Sequence, residues 1–248
     1  MSKKLNACIT YISSRKPCIS LSIQSLWDNF NHKYDYPVYV HYFDDIYDDE
    51  DFREEVRSKT YYGYPNTEFE KYDYVMSLDD ESMFMKDMPY DPFEVMSERV
   101  EPMGALKVYD QNKKPPHQGN FDTRINLWKF MKGYMKHYDI EPKSQFLKDL
   151  MNDPDSDSKF HYYPCADSYV VKTSLFETKE GKQWIEAVNK YGGIYKYRWG
   201  DNDVNSLFYL IHYECDMYDL KTVDDGYHSQ GALRHLVDYA PGVKDNSR

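Results

Sequence analysis

The sequence predicts an α/β fold with a mostly parallel central sheet flanked by helices, and two observations predict it. Residues 5–12 form an apolar run of strand length, Leu21, Ile23, Leu26, Trp27 and Phe30 follow at roughly helical spacing, and a second apolar run covers 38–43 after Pro37. Strand, helix and strand in that order open a parallel sheet, because parallel neighbours need a long crossover connection. Further on, the apolar stretch Tyr74-Val75-Met76-Ser77-Leu78 delivers Asp79, Asp80 and Glu81 at a strand's carboxyl end, which is where open α/β sheets place their ligands.

The later elements read in sequence. Residues 103–109 (MGALKVY) form a fourth strand, and Ile125, Trp128, Met131, Met135 and Tyr138 mark an amphipathic helix between 120 and 138. Residues 144–151 form a second, shorter helix. The acidic stretch 152–158 contains Pro154 and lacks the glycine and closing glutamate of an EF-hand, so it reads as a solvated turn. Residues 161–171 resume as a strand, 179–190 as a helix ended by Gly192-Gly193, and 204–213 as another helix.

Composition bounds the partners. The 248 residues fit one large domain spanning 1–248, and 41% hydrophobic content with 26 Tyr and 4 Trp describes a folded globule rather than a disordered chain. The net charge of −11 excludes nonspecific binding to nucleic acid or anionic membrane. Cys8, Cys18, Cys165 and Cys215 have neither CxxC pairing nor zinc-like spacing and read as free, buried thiols. The first apolar run is broken by Asn6, Thr10, Ser13 and Ser14, unlike a signal peptide. No run reaches the roughly 18 apolar residues of a membrane span. As written, the chain is expected to be cytoplasmic, with the Golgi lumen expected only if an anchor has been removed.

The acid triplet carries the chemistry. If the chain stays extended, alternation projects Asp79 and Glu81 to one side, where two carboxylates repel unless a cation lies between them. Hard oxygen ligands suit Mg²⁺ or Mn²⁺, an ion commonly completed by substrate phosphates. The site therefore fits a nucleotide diphosphate; the competing reading is an acidic turn without a ligand. The run Asp44-Asp45-Ile46-Tyr47-Asp48-Asp49-Glu50-Asp51 also follows a strand but reads as a solvated loop. Tyr61, Tyr62 and Tyr64 are open to two uses, an acceptor groove or packing.

Four blocks resemble glycosyltransferase family 15, the fungal Golgi α-mannosyltransferases. They are NACITYISS with Ser25-Leu26-Trp27-Asp28-Asn29-Phe30-Asn31 and Tyr34-Asp35-Tyr36-Pro37; KYDYVMSLDDES with Tyr90-Asp91-Pro92-Phe93; Leu127-Trp128 leading to His161-Tyr162-Tyr163-Pro164-Cys165-Ala166-Asp167; and Asn189 to Ser206, which contains Gly192-Gly193 and Arg198-Trp199-Gly200-Asp201. The family's Arg-Val-Glu-Pro-Asp is here Ser77-Leu78-Asp79-Asp80-Glu81, and a family glutamate is replaced by Asp167.

The resemblance implies a GT-A-like nucleotide-sugar-binding fold and retaining transfer of a sugar, with GDP-mannose the favoured donor and a glycan or glycoprotein the acceptor. It adds His228, in Asp224-Asp225-Gly226-Tyr227-His228, to Asp79 and Glu81 as expected ligands of Mn²⁺ (or Mg²⁺), with Asp79 and Asp80 toward the nucleotide; Arg15, from its place in the loop after the first strand, is a candidate to contact the nucleotide or its phosphates. Asp167 and Asp201 become candidates for the sugar end, Asp201 being open also to a reading as the N-cap of the 204–213 helix. Two other activities fit the same acids: a noncatalytic nucleotide-sugar or glycan-binding module, and a metal-dependent phosphohydrolase.

Overall fold

The computed structural model describes residues 4–13, 16–42, 69, 71–106, 108–109, 124–153, 165–166, 168–214, 218–221 and 227–228. Strand β1 (Ala7–Ser13) leads into helix α1 (Lys16–Asn29) and then β2 (Val38–Tyr42), as the opening pattern predicts. Next come β3 (Tyr74–Asp79), β4 (Met83–Phe84), α2 (Pro92–Ser97), β5 (Met103–Ala105) and β6 (Val108–Tyr109). Helices α3 (Leu127–Tyr138) and α4 (Gln145–Asn152) precede β7 (Cys165–Ala166) and β8 (Tyr169–Lys172). The chain continues through α5 (Ser174–Glu177), α6 (Lys179–Tyr191), α7 (Gly193–Tyr197), α8 (Asp201–His212), β9 (Tyr218–Asp219) and β10 (Tyr227–His228).

The central sheet runs β2-β1-β3-β8-β5-β9. β1 is parallel to β2 and β3, and β5 is parallel to β9; only β8 runs against its neighbours β3 and β5. The sheet is thus mostly parallel, with β3 next to its middle. Successive residues of a strand face opposite sides, and the strands here are apolar on both. Cys8, Val75, Tyr169 and Val171 face a core built with α3, α6 and α8, whereas Ile9, Tyr11, Met76, Leu78 and Val170 face a second core built with α1, α2 and β4. Among the described residues no helix is long and apolar enough to cross a membrane.

Two predicted strands are broken. Residues 103–109 divide into β5 and β6, and the described part of 161–171 divides into β7 and β8. Both bends fall at one level: Leu106 N–H donates to the Ser168 carbonyl at 2.8 Å, beyond which β6 and β7 form their own antiparallel ladder. Leu106 is buried through the bend, so the apolar pattern runs on while the backbone turns away. The α1 face also differs from the expected one. Trp27 is 47% exposed, and among the described side chains of α1 the buried ones are Ile19, Ser22, Ser25 and Leu26, because the serines rather than Trp27 lie on the side toward β4.

Helix ends follow local chemistry. Ser144 caps α4 by accepting from Leu147 N–H at 3.1 Å, and Gly192 ends α6 at φ 70°, a left-handed conformation that glycine adopts without a Cβ penalty. Cys8 is a free, buried thiol, pushed up to about 12 by burial and so unreactive at neutral pH.

His212, at the end of α8, is buried with Nε2 3.3 Å from Tyr134 Oη and its ring near Phe208. Burial lowers it from its ordinary 6.5 to about 4, against a smaller upward pull from Glu180. The unfolded chain therefore takes up a proton that the native state refuses, and the native state loses stability as pH falls from about 6.5 toward about 4. Urea midpoints measured across that window should fall with acidification, and His212→Gln should make the fall shallower.

Candidate active site

β3 ends at Asp79, where Ser82 N–H donates to the Asp79 carbonyl at 2.9 Å and closes a turn. The chain does not stay extended, so the alternation expected to put Asp79 and Glu81 on one side does not apply. The turn presents Asp79 and Glu81 half-buried and buries Asp80, which is 5% exposed. β4 then leaves the turn and pairs antiparallel with β10, with Met83 opposite His228 and Phe84 opposite Tyr227. Register alone brings position 228 to a point two residues beyond Glu81.

Carboxylates and an imidazole form a donor set that suits Mn²⁺ or Mg²⁺. Among the described residues no three His, Cys, Asp or Glu already converge as a ligand cluster; at His228 the backbone position is what the structure describes. Arg15 and Asp167 lie outside the described residues, as do the acidic run 44–51 and Tyr61, Tyr62 and Tyr64.

Asp201 is the first residue of α8, and Gly200, with φ −72° and ψ 145°, is its N-cap. The N-cap reading of Asp201 is therefore corrected: the helix starts earlier than the apolar spacing indicates. Asp201 is exposed, and Tyr169 Oη donates to its Oδ2 at 3.3 Å. Asn205 Nδ2 donates in turn to Tyr169 Oη at 2.9 Å. This chain ties Asp201 to the start of β8, two residues after Asp167. Sequence reasoning missed Tyr169 and Asn205, although the spacing of Asn205 from Asp201 places both on one helix face.

The surrounding block is architectural. Trp199 is buried, stacks on Tyr191 with centroids 5.2 Å apart, and donates Nε1–H to the Ile125 carbonyl at 2.8 Å. A Cβ on Gly193 would lie 2.4 Å from three atoms of the Trp199 ring, so this position has no room for a side chain. Arg124 and Asp203 form a buried ion pair at 2.7 Å, which fixes the first turn of α8 from below. The Tyr90-Asp91-Pro92-Phe93 block has a comparable use. Asp91 caps α2 by accepting from Phe93 N–H at 2.9 Å and from Tyr36 Oη at 2.6 Å, while Tyr90 Oη donates to the Leu220 carbonyl at 2.6 Å. Desolvation raises the Asp91 carboxyl above its ordinary range, and the Tyr36 hydrogen bond opposes that rise.

A mostly parallel sheet whose central strand delivers carboxylates beside a histidine-bearing strand defines the GT-A class of nucleotide-sugar-dependent folds. The sequence model of glycosyltransferase family 15, described as glycolipid 2-alpha-mannosyltransferase, matches residues 45–232, and the chain belongs to that family of glycosyltransferase enzymes. A probable mannosyltransferase of Saccharomyces cerevisiae, KTR2, is 23% identical over 150 residues, which cover 55% of this chain and 33% of that protein. The matched part thus spans about a third of the length of this relative.

Solved structures of two mannosyltransferases are among those that share the fold. The mannosyltransferase Ktr4p of Saccharomyces cerevisiae is 18% identical with a TM-score of 0.64, the match covering 92% of this chain and 71% of that one; its complex with GDP gives a TM-score of 0.66. Core-mannan synthase A of Aspergillus fumigatus, in a Mn/GDP form, is 15% identical with a TM-score of 0.60, covering 85% and 71%.

Two stability effects follow from the site's foundations. Asp203→Ala leaves Arg124 buried without this counter-charge and should cost about 3–5 kcal/mol in urea unfolding. Gly193→Ala forces the indole aside and should cost about 1–3 kcal/mol, read from the same midpoints.

Proposed function

We propose that this chain is a single-domain, retaining, divalent-metal-dependent glycosyltransferase that moves mannose from GDP-mannose to a glycan or glycoprotein acceptor. The observation that supports this most is the β4–β10 register, which sets His228 beside the turn of Asp79, Asp80 and Glu81. Family membership and the GDP and Mn/GDP forms of the structural relatives support the donor and the metal.

In this reading Asp79, Glu81 and His228 would hold the Mn²⁺ (or Mg²⁺), with Asp79, Asp80 and Arg15 toward the nucleotide. The bound ion supplies neutralisation of the diphosphate leaving group. The bond between the anomeric carbon and the β-phosphate oxygen breaks, its electron pair leaving with GDP. The acceptor oxygen then bonds that carbon on the vacated face and passes its proton to the departing diphosphate. Positive charge accumulates at the anomeric carbon as the bond breaks, and a carboxylate beneath it stabilises that charge as nucleophile or electrostatic partner. Asp167 and Asp201 are the residues proposed for this end, with Tyr169 and Asn205 orienting Asp201.

The test is Mn²⁺-dependent transfer from GDP-mannose across a panel of mannosyl acceptors. Asp79→Ala and Glu81→Ala should each lower transfer more than about 100-fold while circular dichroism remains native. Full activity in either variant would remove the metal assignment. Nucleotide-sugar binding without turnover would identify a binding module instead, and nucleotide or pyrophosphate cleavage without a sugar requirement would identify a phosphohydrolase.

A further inference from the structure

The first of the four sequence blocks runs through α1, which carries none of the acids proposed for catalysis. Its polar residues nevertheless have a shared target. Ser22, Ser25 and Asn29 occupy one face of α1 at the helical spacing, and the two serines are buried. Ser22 Oγ donates to the Ser82 carbonyl and lies 3.3 Å from Tyr11 Oη. Phe84 N–H donates to Ser25 Oγ at 3.2 Å, and Asn29 Nδ2 donates to the Phe84 carbonyl at 2.6 Å and to the Ser25 carbonyl at 3.1 Å. The Asn29 carbonyl then accepts from Met88 N–H at 2.8 Å.

A strand edge ordinarily meets another strand. Here one edge of β4 is satisfied by helix side chains, which take the carbonyl of Ser82 and both backbone groups of Phe84. Backbone groups of alternate strand residues point to opposite edges, so Met83 is left facing the other edge, where β10 pairs with it at His228. A slip of β4 by one residue would break all three α1 contacts and turn every side chain of the strand to the opposite face. We infer that Ser22, Ser25 and Asn29 are positioning residues: they hold β4 in one register and thereby fix His228 against the acid turn. The metal they serve rests on the function proposed above; the register they impose does not.

Two variants test this. Asn29→Asp keeps the shape but replaces the amide donor with an acceptor facing two carbonyls, and Ser25→Ala removes the acceptor for Phe84 N–H more gently if the first variant fails to fold. Mn²⁺ affinity in the presence of GDP, read by electron paramagnetic resonance, should fall about tenfold, the low end for groups that orient metal ligands. Amide exchange at Tyr227 and His228 should accelerate, and metal-free melting is recorded alongside. Variants with wild-type Mn²⁺ affinity, even if they melt earlier, would overturn the inference and leave α1 a packing helix. Wild-type protein that takes up no Mn²⁺ would instead remove the proposed function. The clamp would then be judged on exchange alone, kept by faster exchange at 227–228 and overturned by wild-type rates.

Discussion

Strand β3 is hydrogen-bonded along both edges, parallel to β1 and antiparallel to β8, and the point at which it leaves the sheet governs the rest of the site. A strand paired on both sides cannot slide without reversing its buried faces, so Asp79 is anchored by the register of the whole sheet. The turn closed by Ser82 then redirects the chain within three residues of Asp79. A sharp turn in place of an extended continuation starts β4 along a path that meets β10.

Asp201, the residue proposed for the sugar end, rests on a different support. α8 begins at Asp201, and its first turn carries the buried Arg124–Asp203 pair; just before it, the Trp199 ring fills the space that glycine leaves at position 193. A buried ion pair adds little net stability over an apolar replacement, but it is costly to break. Its use here is geometric, since it restricts where the helix can start. Tyr169 then joins that helix to β8, so that strand and helix agree on the position of one carboxylate.

Much of this was legible in the sequence where a local cause was sufficient. The strand into the acids, the short helix expected over 144–151 and the glycine stop of α6 all appear where period and stop chemistry put them. What failed needed partners distant in sequence. The paired bends at Leu106 and Ser168 are set by two strands leaving the sheet together, and apolar residues on both sides of the bend conceal it. Ser22 and Ser25 look like solvent positions on α1 because a pattern that counts apolar side chains cannot register hydroxyls that bond a strand. The neighbourhood of Asp79 and His228 came from resemblance alone, and the β4–β10 ladder supplies its physical basis. Tyr36 and Asp91, from two of the blocks that carry the family resemblance, are used to start a helix.

Among the described residues the sheet lies between two cores, one packed with α1, α2 and β4 and the other with α3, α6 and α8. The acid corner is braced from the first layer and Asp201 from the second. Damage on one side therefore does not have to spread to the other, and the halves of the site are free to drift apart under mutation. A substitution that loosens the start of α8 would thus leave in place the bonds from α1 that brace the acid turn and β4.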